Sequence, residues 1–416
     1  MGRNVWVLVV AVALFGLAFG IYELAFPLFL DDCGVRVETI GLVLAAGAVV
    51  NFFVMVYGGR LADLFGRKRI YGGAVLALAA AHVATPLVPR VAYLTALKAL
   101  QQACVSLSQS LRGVLVWESV AAERFTRLFG RLVGLETCCH TIGFACVGLV
   151  GVGPGAALSY QGVFRISAAA LVVASAVFLL FREAPLALPP VTVRLTLRSV
   201  FTFDLPGKLY LIIAAGFIIG AGFGISHAVW MLYFRRRFEG SWAGDLAAFD
   251  AWLRAAWPAL AATLTSGQRG SEFALIGLIA IVHRLMMGVP MFLVAPLLRS
   301  RFKALYVGTM LAQGLVIAAP ALVDWLTGSF LAVVIAWVLH DMVGASIWVP
   351  IQERYIQQYC RPDRRAADVA KSKALMAFGF VAGQALAGPI MAADPALPFL
   401  VGGALIMAAS FILLGL

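Results

Sequence analysis

Hydrophobic runs alternate with short polar segments along the whole chain, and this alternation sets the expected architecture. The runs occupy 5–30, 40–58, 70–88, 92–117, 131–152 and 163–181, then 209–234, 273–298, 304–323, 329–352, 368–392 and 397–415. An apolar helix of about 20 residues, rising about 1.5 Å per residue, spans the hydrocarbon core of a bilayer. The pattern predicts an all-α integral membrane protein, with twelve transmembrane helices as two pseudo-symmetric six-helix bundles. The first bundle takes 1–181, a cytoplasmic connector 182–208 and the second bundle 209–416, with an outer insertion at about 235–272. Ala11-Val12-Ala13 has the form of a cleavage site, but too few apolar residues precede it for a signal peptide, so a retained first span is expected.

An internal repeat accompanies the six-plus-six pattern. Lys68 matches Lys303, Glu118 matches Glu353 and Gly153-Pro154 matches Gly388-Pro389, all 235 residues apart. The first helices match at 204 instead, where Gly16, Phe19, Gly20, Ile21 and Leu28 meet Gly220, Phe223, Gly224, Ile225 and Leu232. The difference, 235 − 204 = 31 residues, places an insertion between spans 7 and 8. Inside it, Leu246, Phe249, Leu253 and Trp257 recur at helical spacing, with Asp250 and Arg254 four apart. That predicts an amphipathic helix at the outer interface, as surface decoration or as a lid over the pathway.

Composition agrees with a lipid environment. The 416 residues are 62% hydrophobic and 12% charged, against about 45–50% and about 25% in soluble domains. The net charge of +12 would suggest nucleic acid in a soluble chain. Here the basic residues sit in loops on alternate sides of the spans and read as topology signals, so no nucleic acid is expected. Clusters such as Arg67-Lys68-Arg69 and Arg361–Arg365 fall on one side, while the short loops of the other carry only Arg36, Arg90 and Arg165. The rule puts both termini in the cytoplasm of a multi-pass cell-membrane protein. The insertion dissents by opening on Arg235-Arg236-Arg237, but long loops obey the rule weakly. Cys104, Cys138, Cys139 and Cys146 lie in apolar runs and Cys33 and Cys360 in loops on opposite sides, so neither a disulfide framework nor a metal site is expected from them.

The loop between spans 2 and 3 reads Gly59-Arg-Leu-Ala-Asp63-Leu-Phe-Gly66-Arg67-Lys68-Arg69. It resembles the signature loop of the major facilitator superfamily, G-x-L-A-D-x-x-G-R-K. In physical terms, the glycines permit a tight turn and close helix approach, Asp63 can cap a helix end or meet a cation, and Arg67 and Lys68 hold the inner face. Lys98-Ala-Leu-Gln101-Gln102 is similar to the family's R-x-x-Q-G in span 4, with Lys for Arg and Gln for Gly, and so lacks the guanidinium fork. Gly143, Gly148, Gly151 and Gly153-Pro154 resemble, at irregular spacing, the glycine-proline pattern of the family's antiporters. Arg299-Ser-Arg301-Phe-Lys303, the second copy of the signature loop, keeps charge without the Gly and Asp. The resemblance implies two bundles rocking about a central cavity lined by helices 1, 4, 7 and 10, with charge pairs at the inner ends closing it.

Ionisable residues inside spans are costly and mark pathways or partners. Lys98, Gln102, Gln109 and Arg112 share one face of span 4, and Gly16, Gly20, Glu23 and Pro27 one face of span 1. Glu23 and Lys98 each lie about 10 Å below the outer surface, which suggests an ion pair or a proton-linked partnership. By the repeat, His227 lies opposite Glu23, and His340 overlays Val105 on the Lys98 stripe, so His340 is expected to face the cavity with Trp337, Asp341 and Trp348 nearby. A carboxylate beside an imidazole in low dielectric is the equipment proton coupling needs. His140 and Arg284 are also near midplane; Arg284 either binds an anionic group or neutralises Asp341. Arg112, Glu118, Glu136, Glu353 and Arg354 near the inner face are expected to gate.

These readings favour a secondary carrier that works as a monomer, with a small-molecule substrate, protons and the lipid bilayer as partners and with no cofactor. No P-loop occurs, so ATP is not the direct energy source, and no motif of an embedded enzyme is present. A transport-dead receptor or scaffold is the alternative of a different class. Among carriers, proton-linked export of amphipathic compounds and uptake of an organic anion both remain open.

Overall fold

A computed structural model of the chain describes residues 2–35, 37–150, 159–183, 202–258, 261–262 and 270–416, and among these no strand occurs. The first half contains α1 (Arg3–Asp32), α2 (Val37–Phe65), α3 (Arg67–Ala84), α4 (Val91–Ser119), α5 (Ala122–Val150) and α6 (Tyr160–Phe178). The second contains α7 (Gly207–Phe238), α8 (Ala243–Ala256), α9 (Gly270–Val294), α10 (Phe302–Thr327), α11 (Phe330–Val343), α12 (Ala345–Tyr359), α13 (Arg365–Ala393) and α14 (Leu397–Ile412). Among the described residues nine segments are long and apolar enough to cross a membrane. This is fewer than the twelve expected spans. Helices α2, α4 and α5, each of 29 residues, stand outside the nine despite their length. For α4 the hydropathy is lowered by Lys98, Gln101, Gln102, Gln109, Arg112 and Glu118.

The packing follows one scheme twice. Helix α1 lies against α5 and α6, α2 against α4, and α3 against α4 and α6. Likewise α7 lies against α13 and α14, α9 against α11, and α10 against α11 and α14. Two further contacts, α5 with α9 and α2 with α13, join the halves. Small residues allow the backbones to approach, as membrane helices require where no hydrophobic effect drives them together. Gly16 and Gly20 face the α5 backbone at Glu136 and His140, and Gly220 and Gly224 face the α13 backbone at Met376 and Phe380.

That crossing shifts part of the repeat register. Glu136 to Met376 and His140 to Phe380 are 240 apart, whereas Glu118 to Glu353 are 235 apart, so 240 − 235 = 5 residues enter between Glu353 and Met376. The 3-10 turn Pro362–Arg364 lies in this stretch. At the other matched pair the register is 235 and the geometry repeats: Lys68 Nζ donates to the Leu179 carbonyl at 2.8 Å and Lys303 Nζ to the Leu414 carbonyl at 2.7 Å. Gly153-Pro154 and Gly151 lie outside the described residues, as do Arg36 and most of the 182–208 connector.

Two expected elements differ in detail. The run 329–352 is not one continuous helix, because it breaks at Gly344 between α11 and α12. Gln313 of α10 presses into the place where a Cβ would stand, which only glycine permits, and its Oε1 accepts from Trp348 Nε1 at 3.4 Å. The amphipathic helix of the insertion forms as α8, with the Arg254–Asp250 pair at 2.8 Å, Leu253 buried, and Leu246 and Phe249 packed on the apolar cluster that holds Trp242. Trp257 does not join that face. It ends the helix with non-helical dihedrals and is exposed. The dissenting arginines are partly explained too: Arg237 forms an ion pair with the buried Asp324 and lies over the Tyr233 and Trp242 rings.

The glycine crossings predict where a methyl group is harmful. A Cβ on Gly379 would collide with the Phe217 carbonyl, whereas one on Gly73 would meet nothing within 4 Å. Overpacking of this kind costs about 1–3 kcal/mol. Gly379→Ala is therefore expected to lower the melting temperature in detergent, with Gly73→Ala unchanged. Equal melting of the two variants would count against close α7–α13 packing.

Candidate functional site

Three sets of polar groups stand out inside this apolar frame. The first joins α1, α5 and α9. Glu23 Oε2 lies 2.7 Å from His140 Nε2, and Glu23 Oε1 lies 4.0 Å from Arg284 Nη2. The Glu23 and Arg284 side chains keep exposures of 37% and 35%, while His140 is buried. The close crossing at Gly20 puts His140 in reach of Glu23, since Gly20 sits against the His140 carbonyl.

Lys98 is near but differently engaged. Its Nζ donates to Gln101 Oε1 at 2.8 Å and lies 5.5 Å from the centres of both the Tyr22 and Phe26 rings. The ion pair expected between Glu23 and Lys98 is thus replaced, among the described residues, by Glu23 with His140 and Arg284. Gln101 is buried, and Gln102 and Gln109 are half-buried on the same helix. Arg112, farther along α4, pairs with Glu136 of α5 at 2.6 Å, both side chains buried.

The second set lies among α7, α9 and α11. His340 Nε2 is 3.2 Å from His227 Nε2, 3.3 Å from His283 Nε2 and 3.4 Å from Asp341 Oδ1. His283 Nε2 is 3.1 Å from Asp341 Oδ2. Trp337 walls the group: its ring lies parallel to that of His283 at 5.4 Å and 4.3 Å from that of His340. Trp337 and Asp341 lie beside His340 as expected, and His227, expected opposite Glu23, joins them instead. Trp348 stands apart, beyond the Gly344 break, stacked on Phe223. Nor does Arg284 neutralise Asp341, whose partners are the two histidines.

His283 was not singled out by the sequence reading. The signal was available: all five histidines (His82, His140, His227, His283 and His340) lie in apolar runs, where each calls for a partner. His82 finds its own in Ser167 Oγ at 2.7 Å.

The third set is the signature loop. Gly66 has φ 97°, a left-handed conformation suited to glycine, and turns α2 into α3. Asp63 Oδ1 accepts from Arg67 Nη2 at 2.9 Å and from the Ala366 N–H at 3.2 Å, and its Oδ2 accepts from the Ala367 N–H at 2.9 Å. Asp63 thus caps the start of α13, where free N–H groups and the helix dipole favour an anion. Arg67 also pairs with Glu118, and its backbone N–H donates to Glu183 at 2.6 Å. Gly59 crosses against Ala366 and Ala370, which brings α2 onto α13. Alongside, Glu353 pairs with Lys373 at 2.9 Å, its carboxylate lying in the space beside Gly113 of α4. Arg354 donates to the Ala122 carbonyl and covers the Phe302 ring. Glu118 and Glu353 both lie at this end of their helices, and the halves are closed against each other here. Outside the spans, Arg361 is held above its ordinary pKa by hydrogen bonds to Asp368 and Asp204.

A multi-pass helical membrane protein with buried charge at its centre and a charged junction at one end has the organisation of a transporter. The Major Facilitator Superfamily profile matches residues 8–243, more than half of the chain, and the chain belongs to that superfamily. No curated protein matches it in sequence. Among solved structures it is similar to the human organic anion transporter MFSD10 (TETRAN), at 16% identity and TM-score 0.73, covering 99% of each chain. It is also similar to a bacterial homologue of the iron transporter ferroportin in an outward-facing state, at 13% identity and TM-score 0.71, covering 100% of this chain and 99% of that one. The nucleoside transporter NupG follows at 12% identity and TM-score 0.61, with 100% and 99% covered. At these identities the likeness is one of fold.

Proposed function

We propose that the chain is a secondary active transporter, moving a small solute across the cytoplasmic membrane by alternating access and drawing on protons. The observation that carries this reading is the Glu23–His140–Arg284 cluster. It places a single carboxylate between two basic groups, where α1 and α5 of the first half meet α9 of the second. A carboxylate so placed can exchange a proton for a charge contact as the halves separate.

The wider scheme has six spans in each half: α1–α6, then α7, α9, α10, α11 with α12 as one broken span, α13 and α14. The bundles take 1–181 and 209–416, joined by a connector at 182–208, with α8 in the outer insertion. The repeated packing scheme and the matched Lys68 and Lys303 hydrogen bonds support this division. We assign the signature-loop end and both termini to the cytoplasm, and the working unit to a monomer.

Export of amphipathic compounds suits the aromatic groups around Lys98 and the histidines. Uptake of an organic anion is the second reading, favoured by the local excess of Lys98 and Arg284 over Glu23 and in keeping with the similar structure of an organic anion transporter, MFSD10. A panel of amphipathic cations and organic anions, screened by melting of the purified chain, separates the two. A ligand at a hundred times its Kd stabilises by about 2.7 kcal/mol. The class that raises the melting point is then tested for flux in proteoliposomes; stabilisation without flux would favour a receptor.

A further inference from the structure

The four ligand-bearing side chains His227, His283, His340 and Asp341 are more than a proton relay can explain. Their candidate ligand atoms all lie within 4.8 Å of one another. The contacts of His340 Nε2 with His227 and His283, at 3.2 and 3.3 Å, and the contacts with the Asp341 carboxylate, at 3.1 Å to Oδ2 and 3.4 Å to Oδ1, are close to the edge of a tetrahedron with bonds of about 2.0–2.1 Å. Such an edge measures about 3.3–3.4 Å.

Tautomers sharpen the point. His340 Nδ1 faces the Trp337 carbonyl, an acceptor, so the ring proton sits on Nδ1 and Nε2 carries a lone pair. His227 Nδ1 is 3.1 Å from Ser226 Oγ, and that hydroxyl donates to the Gly222 carbonyl at 3.1 Å. The hydroxyl therefore accepts from His227 Nδ1–H, which leaves His227 Nε2 as a lone pair too. Two lone pairs then face each other at 3.2 Å, with a carboxylate beside them. Neutral imidazoles in this arrangement repel, and a cation at the common point resolves it.

We propose that His227, His283, His340 and Asp341 form a binding site for one divalent first-row transition-metal ion of the zinc, iron or cobalt type. Sequence spacing pointed to no metal, because the four ligands come from three helices. Three imidazoles and one carboxylate suit these borderline ions; magnesium and calcium prefer oxygen, and monovalent copper prefers sulfur. The Trp337 carbonyl and Ser226 hydroxyl are outer partners that fix each ring's tautomer. His340, His283 and Asp341 are buried, whereas His227 is half-buried, which makes His227 the side of entry. All four ligands belong to α7, α9 and α11, so the site stays whole when the two halves part. His283 is followed directly by Arg284, which faces Glu23, so the ion's charge lies close to that contact.

The test is Co2+ titration of the full-length chain, purified in detergent and stripped with chelator, followed by Zn2+ competition. One Co2+ per chain is expected, with the visible absorption of a tetrahedral nitrogen and oxygen site and no thiolate charge-transfer band. His283→Gln and His340→Gln should weaken binding more than about a hundredfold, and Ser226→Ala about tenfold. Melting of each metal-free variant is measured alongside, so that misfolding is not read as lost ligation. Should a histidine variant fail to fold, Ser226→Ala and Asp341→Asn decide, each expected to lower affinity. Absence of Co2+ binding by the wild type, a thiolate band, or affinity unmoved by these substitutions would overturn the site. None of these results bears on proton-driven flux, which is measured separately.

Discussion

Replacing Glu23 by Gln is expected to abolish solute accumulation driven by a pH gradient while exchange of solute across the same membrane continues. One coupled proton converts each pH unit into at most about tenfold accumulation, because a pH unit is worth about 1.4 kcal/mol. The variant's accumulation ratio should therefore fall to about one at any imposed gradient. The reason is chemical. Glu23 is the carboxylate that meets both His140, at 2.7 Å, and Arg284, at 4.0 Å. Glutamine keeps its size and can accept a hydrogen bond, but cannot take up and release a proton. Moving a bare charge through a dry constriction costs several kcal/mol, so a proton-linked cycle needs the neutral form. Accumulation and exchange are measured in the same vesicles, since a misfolded variant loses both. If gradient dependence survives the substitution, Glu23 holds α1 to α5 and α9 and the proton enters elsewhere.

What could be read from the sequence depended on how local each signal was. The signature loop was legible because Gly59, Asp63, Gly66, Arg67 and Lys68 stand within a few residues of one another in a fixed pattern, although their partners are distant. Glu23, Asp341, His140, His227 and His340 were legible because an ionisable group in an apolar run is anomalous wherever it falls. Partners were not, because they are set by helix crossings. Equal depth suggested Lys98 for Glu23, yet the Gly20 crossing brings α5 so near that His140 arrives first. Successive helical residues point about 100° apart, so Arg284 faces Glu23 while His283 turns to His340, and nothing local marks the second direction. The repeat at 235 holds at Lys68 and Glu118 but slips by five at the α5–α13 match, the extra residues entering between Glu353 and Met376. Gly344 looked like one more glycine in an apolar helix. Gln313, from another helix, occupies the place of its Cβ, and beyond the break Trp348 stacks on Phe223.

The junction at the signature loop leads to the other large effect: Asp63→Asn should open it. Asp63 joins the halves by accepting from the Ala366 and Ala367 N–H groups while it pairs with Arg67. Hydrogen bonds to a charged group contribute about 1.5–3 kcal/mol, and an asparagine amide turns a donor toward N–H groups that need an acceptor. A loss of about 2–3 kcal/mol shifts the closed-to-open ratio by about thirty- to a hundred-and-fiftyfold. A native reporter stands at this spot. Cys360 follows α12, is buried, and has its thiol pushed above the ordinary range by burial and by the Asp368 and Glu353 carboxylates. Maleimides react with the thiolate. In the closed protein, labelling of Cys360 should be slow at neutral pH and still rising above about 8.5, where a free thiol is half ionised. With the other cysteines replaced, Asp63→Asn should raise the rate at neutral pH by tenfold or more and bring the profile toward that of a free thiol. Removal of the Asp63 charge alone would lower the thiol's pKa somewhat, and it would speed small and bulky reagents equally. Opening favours the bulky one, so the ratio of the two rates decides. A ratio unchanged from wild type, with flux also unchanged, would mean that Asp63 merely caps α13 and that the closed state is held by other contacts across the halves, Arg354 with the Ala122 carbonyl foremost.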